Sequence, residues 1–136
     1  MAEKLTLEVV SPYGQAFKDE VDEVVAPGSE GEFGVLPGHI PFITTLKIGI
    51  LIYKKNGTPG YIFVNSGYAE VYEDKVLVLA DSAEKAEDID VERAKEALRR
   101  AEELLKKQEN IDFARARAAL ERAINRIKAA EQAGKR

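Results

Sequence analysis

Residues 76–105 read VLVLADSAEKAEDIDVERAKEALRRAEELL, and the chain changes character inside them. Val76-Leu77-Val78-Leu79 is a short continuous apolar run of strand-forming residues. From Val91 onward, Val91, Ala94, Leu98, Ala101 and Leu105 recur at spacings of 3, 4, 3 and 4, the period of a helix packed on another helix. The break falls near residue 84. Before it lie nine of the ten glycines, all five prolines and most of the β-branched and aromatic residues; after it Ala, Glu, Lys, Arg and Leu dominate. Two architectures are joined here, residues 1–85 and residues 86–136.

Working back from the break, Leu5, Leu7 and Val9 alternate with Thr6 and Glu8, as in a half-buried strand. Lys55-Asn56-Gly57 is a hairpin signal between ILIYK and GYIFV, and Tyr72-Glu73-Asp74-Lys75 marks a second tight reversal. Short strands with frequent turns predict an all-β sandwich or barrel, long enough to bury a sufficient core of its own.

Working forward, Asp90 is placed to cap the first helix, Asn110-Ile111-Asp112 breaks it, and Asp112 caps a second. Along the second, Phe113, Ala116, Leu120, Ala123, Ile127 and Ala130 repeat at 3, 4, 3, 4 and 3. The prediction is an antiparallel helical hairpin. Both stripes are rich in alanine, so the helices approach closely but bury little apolar area from each other, and two such helices are marginal alone. They must borrow stability from the sandwich, a partner or a ligand, and an element with alternative docking sites is what a switch requires.

Composition narrows the function. The 136 residues carry 32% charged side chains and a net charge of −4, which argues against general nucleic-acid affinity. There is no cysteine and one histidine, so disulfides, thiolate chemistry and His-rich metal sites are excluded. No apolar run approaches the roughly 18 residues of a membrane span, and MAEKLTLEVV has no signal-peptide core, so a membrane is expected only through a partner.

Gly28-Ser29-Glu30-Gly31-Glu32-Phe33-Gly34 is not a phosphate loop, because no Gly-Lys-Ser/Thr follows and two prolines, Pro37 and Pro41, prevent the next segment from opening a helix. It reads as a turn with a bulge. Glu30 and Glu32 flank Gly31 as candidate partner contacts. His39 has no Ser, Cys or Asp placed beside it by any motif, so catalysis is not expected.

The arginines are the remaining signal. Residues 114–126 read ARARAALERAINR, with four arginines against one acid. Arg117 has Glu121 four residues on, and Arg115 has Asp112 three residues back, but Arg122 and Arg126 have no such neighbour. If the chain reverses around residues 109–111, Arg100 lies level with Arg122 and Arg93 with Arg126, giving two levels of facing guanidinium groups about 10 Å apart. That spacing suits a polyphosphate. The competing reading pairs Glu96 with Arg93 and Glu103 with Arg100 and leaves a solvated face.

Taken together, VSPYGQAF, EGEFGVLPGHIPFITTLKIG, VNSGYAEVYEDKVLVLADSAE and EDIDVERA resemble the epsilon subunit of bacterial F-type ATP synthases, in order and over nearly the whole chain. The resemblance implies a β + α fold, a ten-stranded-type β-sandwich followed by a two-helix hairpin. It implies a rotor-stalk subunit that is not an enzyme, whose sandwich binds the gamma subunit and the c-ring. Glu32 matches a position that meets the loops of the ring, and His39 lies on the side toward gamma. The helices would either fold down on the sandwich or extend along gamma into the alpha/beta catalytic head and inhibit ATP hydrolysis. The location implied is peripheral, on the cytoplasmic face of the cell membrane.

Some members of that family bind ATP in the folded-down state through a sequence like Ile-Asp-x-x-Arg-Ala plus arginines on both helices. Ile89-Asp90-Val91-Glu92-Arg93-Ala94 matches that pattern, and Glu84, Arg100, Arg122 and Arg126 occupy matching positions. By resemblance the four arginines would meet phosphates, while Glu84 and Asp90 contact the base or order the pocket. The inter-helix link KKQENID is a residue shorter than in those members. The alternative is the same subunit without nucleotide, its arginine face gripping acidic residues of a partner.

Overall fold

The computed structural model describes residues 3–107 and 112–134. Eight strands, β1 (Leu5–Ser11), β2 (Gly14–Val21), β3 (Glu23–Gly28), β4 (Gly31–Val35), β5 (Phe42–Lys55), β6 (Thr58–Tyr72), β7 (Lys75–Ala80) and β8 (Ala83–Lys85), form one sheet in the order β2-β1-β7-β6-β5-β3-β4, with β8 on β6. Neighbours are antiparallel except β1 and β7. A 3-10 turn (Ala86–Asp88) then leads into α1 (Val91–Lys106) and α2 (Phe113–Gln132).

One sheet buries its own face only by folding over, and β6 shows where. Its inward residues are Ile62 and Val64 in the first half but Ala69 and Val71 in the second, a change of parity. On β5 the inward residues likewise change from Leu46 to Leu51. The β5 to β6 register keeps one offset from Phe42↔Val71 to Lys55↔Thr58, so backbone rotation, not an inserted residue, turns the side chains over. Ser66 (φ 54°) and Gly67 (φ 138°) supply that rotation. A Cβ at Gly67 would lie 2.0 Å from the Leu79 carbonyl oxygen, which leaves room only for glycine.

At the same level β6 exchanges its partner, from β7 opposite Gly67–Tyr72 to β8 opposite Ile62–Val64. Counted by their differently facing halves, β5 and β6 bring the eight strands to ten segments, the ten-stranded type of sandwich. Its interior holds Leu5, Leu7, Val9, Val24, Leu51 and Ile62, all fully buried. The Phe17 and Tyr53 rings, 4.6 Å apart, join β2 to β5 across it. Asn56 (φ 52°) and Gly57 (φ 80°) make the expected two-residue hairpin, and Gly28 pairs with Gly31 around Ser29-Glu30, so the glycine-rich stretch is a turn.

Asp90 and Asp112 cap the helices, accepting the backbone N–H of Arg93 and of Arg115, each at 3.1 Å. Asp112 therefore serves the Arg115 backbone rather than its guanidinium. The alanine stripes are buried at Ala94 and Ala101 on α1 and at Ala116, Ala123 and Ala130 on α2. Phe113, expected to begin the second stripe, is 51% exposed instead, because it stands on the first turn of α2, before the buried stripe that begins at Ala116. Asn110 and Ile111, expected to break the helices, lie outside the described residues.

The hairpin docks through α2, which packs on β5 and β6, while α1 packs mainly on α2. Phe63 makes this possible. It points away from the sandwich interior and forms a second buried cluster with Ala86, Ile89, Val91, Ala129 and Ala130. Small side chains at Ala129 and Ala130 let the helix lie close on the sheet.

Candidate functional site

Phe63 on β6 and Glu84 on β8 are register partners, so ring and carboxylate stand side by side on the face that receives α2. Arg126 lies on both. Its Nε donates to Glu84 Oε1 at 2.6 Å, and its guanidinium carbon sits 4.4 Å from the Phe63 ring centroid. The two charged side chains are 28% and 35% exposed, so the bond contributes about 1–2 kcal/mol and the ring contact roughly 0.5–1 kcal/mol more. Arg126, without a neighbour along its own helix, thus has a partner 42 residues away in the sandwich.

This contact forms one wall of an open cleft of about 720 Å³ between the helices and the sandwich edge. Glu84, Ile89, Asp90, Arg93, Ala94, Arg100 and Arg126 all line it. Ala97, Ala101 and Ala119 give it an apolar floor. Arg122 is half-buried and is not among the lining residues, so the structure gathers three of the four expected arginines here.

The acids at the rim are already engaged. Glu84 holds Arg126, Asp90 caps α1, and Asp88 pairs with Lys85 at 3.9 Å. Glu96 pairs with Arg99, not with Arg93 as the solvated-face reading had it. Arg93 and Arg100 are exposed, and neither guanidinium has an ion pair or side-chain hydrogen bond among the described residues. Two uncompensated cations therefore face the cleft, a setting that favours a polyanion.

A second surface lies on the sandwich. Tyr68 and Leu79 are cross-strand partners and are 57% and 50% exposed; Tyr72, farther along β6, and Ile43, on β5, are 54% and 68% exposed. Together they make an outward apolar face on β5, β6 and β7, with Leu36 and Ile40 exposed on the adjoining loop. Glu70, exposed between Tyr68 and Tyr72 and opposite Ile43, interrupts this face with a charge, and exposed apolar groups rimmed by polar ones in this way mark interaction surfaces. The sequence carries a signal for it, since Tyr68 and Tyr72 stand four residues apart and so on one face of the strand.

The partner-contact candidates are dispersed. Glu30 is exposed in the β3–β4 turn. Glu32 is exposed on β4 and lines a smaller cleft of about 390 Å³ together with Lys47 and Lys128. His39 stands on the β4–β5 loop, its Nδ1 2.6 Å from the Ile40 carbonyl oxygen and its ring 6.1 Å from that of Phe42. Among the described residues no group of three or more His, Cys, Asp or Glu is arranged to hold a metal, and no helix is long and apolar enough to cross a membrane.

Residues 4–86 match the beta-sandwich domain of the ATP synthase delta/epsilon chain, and residues 87–131 match its long alpha-helix domain. The chain belongs to the ATP synthase delta/epsilon family. Within that family it is 59% identical over 106 residues to the ATP synthase epsilon chain of Thermodesulfovibrio yellowstonii, covering 78% of this chain and 76% of the relative. It is 60% identical over 106 residues to that of Geotalea daltonii, covering 78% and 77%.

Among solved structures, a chain of the Euglena gracilis mitochondrial ATP synthase, determined by cryo-EM with OSCP, F1 and c-ring, superposes with a TM-score of 0.78. It shares 24% identity, covering 96% of this chain and 81% of that one. A chain of the Tetrahymena thermophila central stalk and c-ring gives a TM-score of 0.60 at 10% identity, with 96% of each chain covered. These two likenesses concern the fold.

Proposed function

We propose that the protein is a non-catalytic central-stalk subunit of an F-type ATP synthase whose helical arm regulates ATP hydrolysis and is held against the sandwich by ATP. The observation that carries this reading is that the guanidinium groups of Arg93 and Arg100, without partners among the described residues, face a cleft whose other wall is Arg126. Arg93 and Arg100 stand two turns apart on α1, about 10 Å along the axis, a span suited to a triphosphate. The alanine floor admits a flat base, and Glu84 and Asp90 stand at the rim to accept from its N–H or hydroxyl groups. An adenine nucleotide would supply the polyanion that these cations lack.

The regulation is linkage. The cleft is built from both helices and from the sandwich edge, so it exists only with the arm docked. A ligand confined to that form stabilises it by about 2.7 kcal/mol at a hundredfold excess over Kd. Scarce ATP releases the arm toward the catalytic head, where it inhibits hydrolysis. The exposed Tyr68, Tyr72, Leu79 and Ile43 face fits a permanent stalk partner, the gamma subunit, with the c-ring meeting the sandwich at Glu30 and Glu32. The membrane is reached only through the complex, at its cytoplasmic face.

A second reading uses the same exposed arginines to grip acidic residues of the stalk or head, without nucleotide. Hydrogen exchange separates the two. With ATP present, the amides of Ala123, Ala129 and Ala130 exchange more slowly under the first reading and at the same rate under the second.

A further inference from the structure

The exposed apolar face has two parts that are held in different ways. Ile43, Tyr68, Tyr72 and Leu79 stand on strands whose ladder fixes them. Leu36 and Ile40 stand on the β4–β5 loop, outside the ladder. A side chain ties that loop to the sheet. The Gly38 N–H, midway between Leu36 and Ile40 in the chain, donates to Asp74 Oδ1 at 2.7 Å, and the His39 N–H closes the loop on the Leu36 carbonyl oxygen at 3.1 Å.

Asp74 is a firm post for this tie. With Glu73 at φ 47° and Asp74 at φ 59°, the two make the tight turn between β6 and β7, and the Asp74 carbonyl oxygen accepts the Thr6 N–H of β1 at 2.9 Å. Its backbone is thus anchored on one strand while its carboxylate reaches the loop. We propose that Asp74 is a positioning residue for partner docking, which presets Leu36 and Ile40 beside the sheet part of the face by holding the Gly38 amide. The inference rests on the reading of this face as the gamma-subunit contact. A loop already held in the bound conformation loses little freedom on docking, and the difference appears as affinity. The charges around it suit the same partner. Glu70 and Glu73 are exposed there, and the adjacent cation, Lys75, is taken by Glu8 at 3.2 Å, so the face fits apolar side chains bordered by Lys or Arg.

The test is the Kd for the gamma subunit of the same synthase, by surface plasmon resonance, in the wild-type chain, Asp74→Asn and Asp74→Gly. Both substitutions tolerate a positive φ and remove the same charge, but only asparagine keeps an oxygen to accept from Gly38. The Kd of Asp74→Gly rises at least fivefold above that of Asp74→Asn, with the urea midpoint of the sandwich equal in the two. The same pair is then compared in an Ile40→Ala chain. There the ratio shrinks by at least half, because the side chain being positioned is gone. Equal Kd values for the glycine and asparagine variants overturn the role of Asp74. A ratio undiminished by Ile40→Ala means that Asp74 touches the partner itself, and overturns the positioning role. No binding of gamma to the folded wild-type chain overturns the gamma reading of the face and this inference with it.

Discussion

Phe63 and Glu84 face one another across β6 and β8, and a single side chain of α2, Arg126, lies on both. The strand pairing that closes the sandwich thus also makes the socket for the arm. Arg126→Ala removes the charge-assisted bond and the ring contact and leaves Glu84 without its cation. The arm's docking equilibrium falls about 10-fold to 150-fold, from roughly 1.5–3 kcal/mol. Hydrogen exchange at Ala129 and Ala130 should speed by that factor, while the amides of Leu5, Leu7 and Val9 keep their protection.

Ala130 is fully buried beside Phe63 and Ile89. Leucine there inserts a side chain for which the close approach of helix and sheet leaves no room, at a cost of about 1–3 kcal/mol. The prediction is an undocked arm on an intact sandwich, seen as lost protection along α2 with the urea midpoint of the strands unchanged.

Gly67→Ala strikes the sandwich itself. The backbone there is left-handed at φ 138°, and the added carbon meets a carbonyl oxygen at 2.0 Å. The fold line of the sheet cannot relax this contact without moving β7, so a loss of at least ~3 kcal/mol is expected. Urea unfolding followed by strand circular dichroism checks it.

Acid acts at the other end of the sheet. The Lys4 ammonium and then the Asn56 backbone N–H hold the Asp22 carboxyl below the usual aspartate range. The folded group stays charged where the unfolded one begins to protonate, near pH 3.9. Its contribution is complete above that value and is lost as pH falls through it toward the depressed folded value. Glu8, through Lys75 and Gln15, and Asp19, through Lys55, act in the same direction. Between pH 5 and pH 3 the urea midpoint should therefore drop less in Asp22→Asn than in the wild-type chain, without the slope vanishing.

What the sequence disclosed depends on the range of the interaction. The caps Asp90 and Asp112 act over three residues, and the Asn56-Gly57 turn over two; both were legible because local spacing decides them. The alanine stripes were legible for the same reason. Arg126 and Glu84 were both visible as candidates, yet their bond was not, since a 42-residue separation leaves no periodic trace. Nor did any pattern announce that β6 turns its side chains over at Ser66 and Gly67, because the register across it runs on unbroken. Arg122 shows the limit from the other side: it shares a helix face with Arg126, but the cleft ends short of it.

On the proposed reading, Arg93 and Arg100, without ion-pair partners among the described residues, hold the phosphates of ATP while the arm is docked. Calorimetric titration of the protein with ATP, beside an Arg93→Ala, Arg100→Ala double variant, decides it. Saturable 1:1 binding that is weakened at least 100-fold in the variant is the predicted result. No heat at millimolar ATP from protein verified as folded, or equal affinity in the variant, would contradict it.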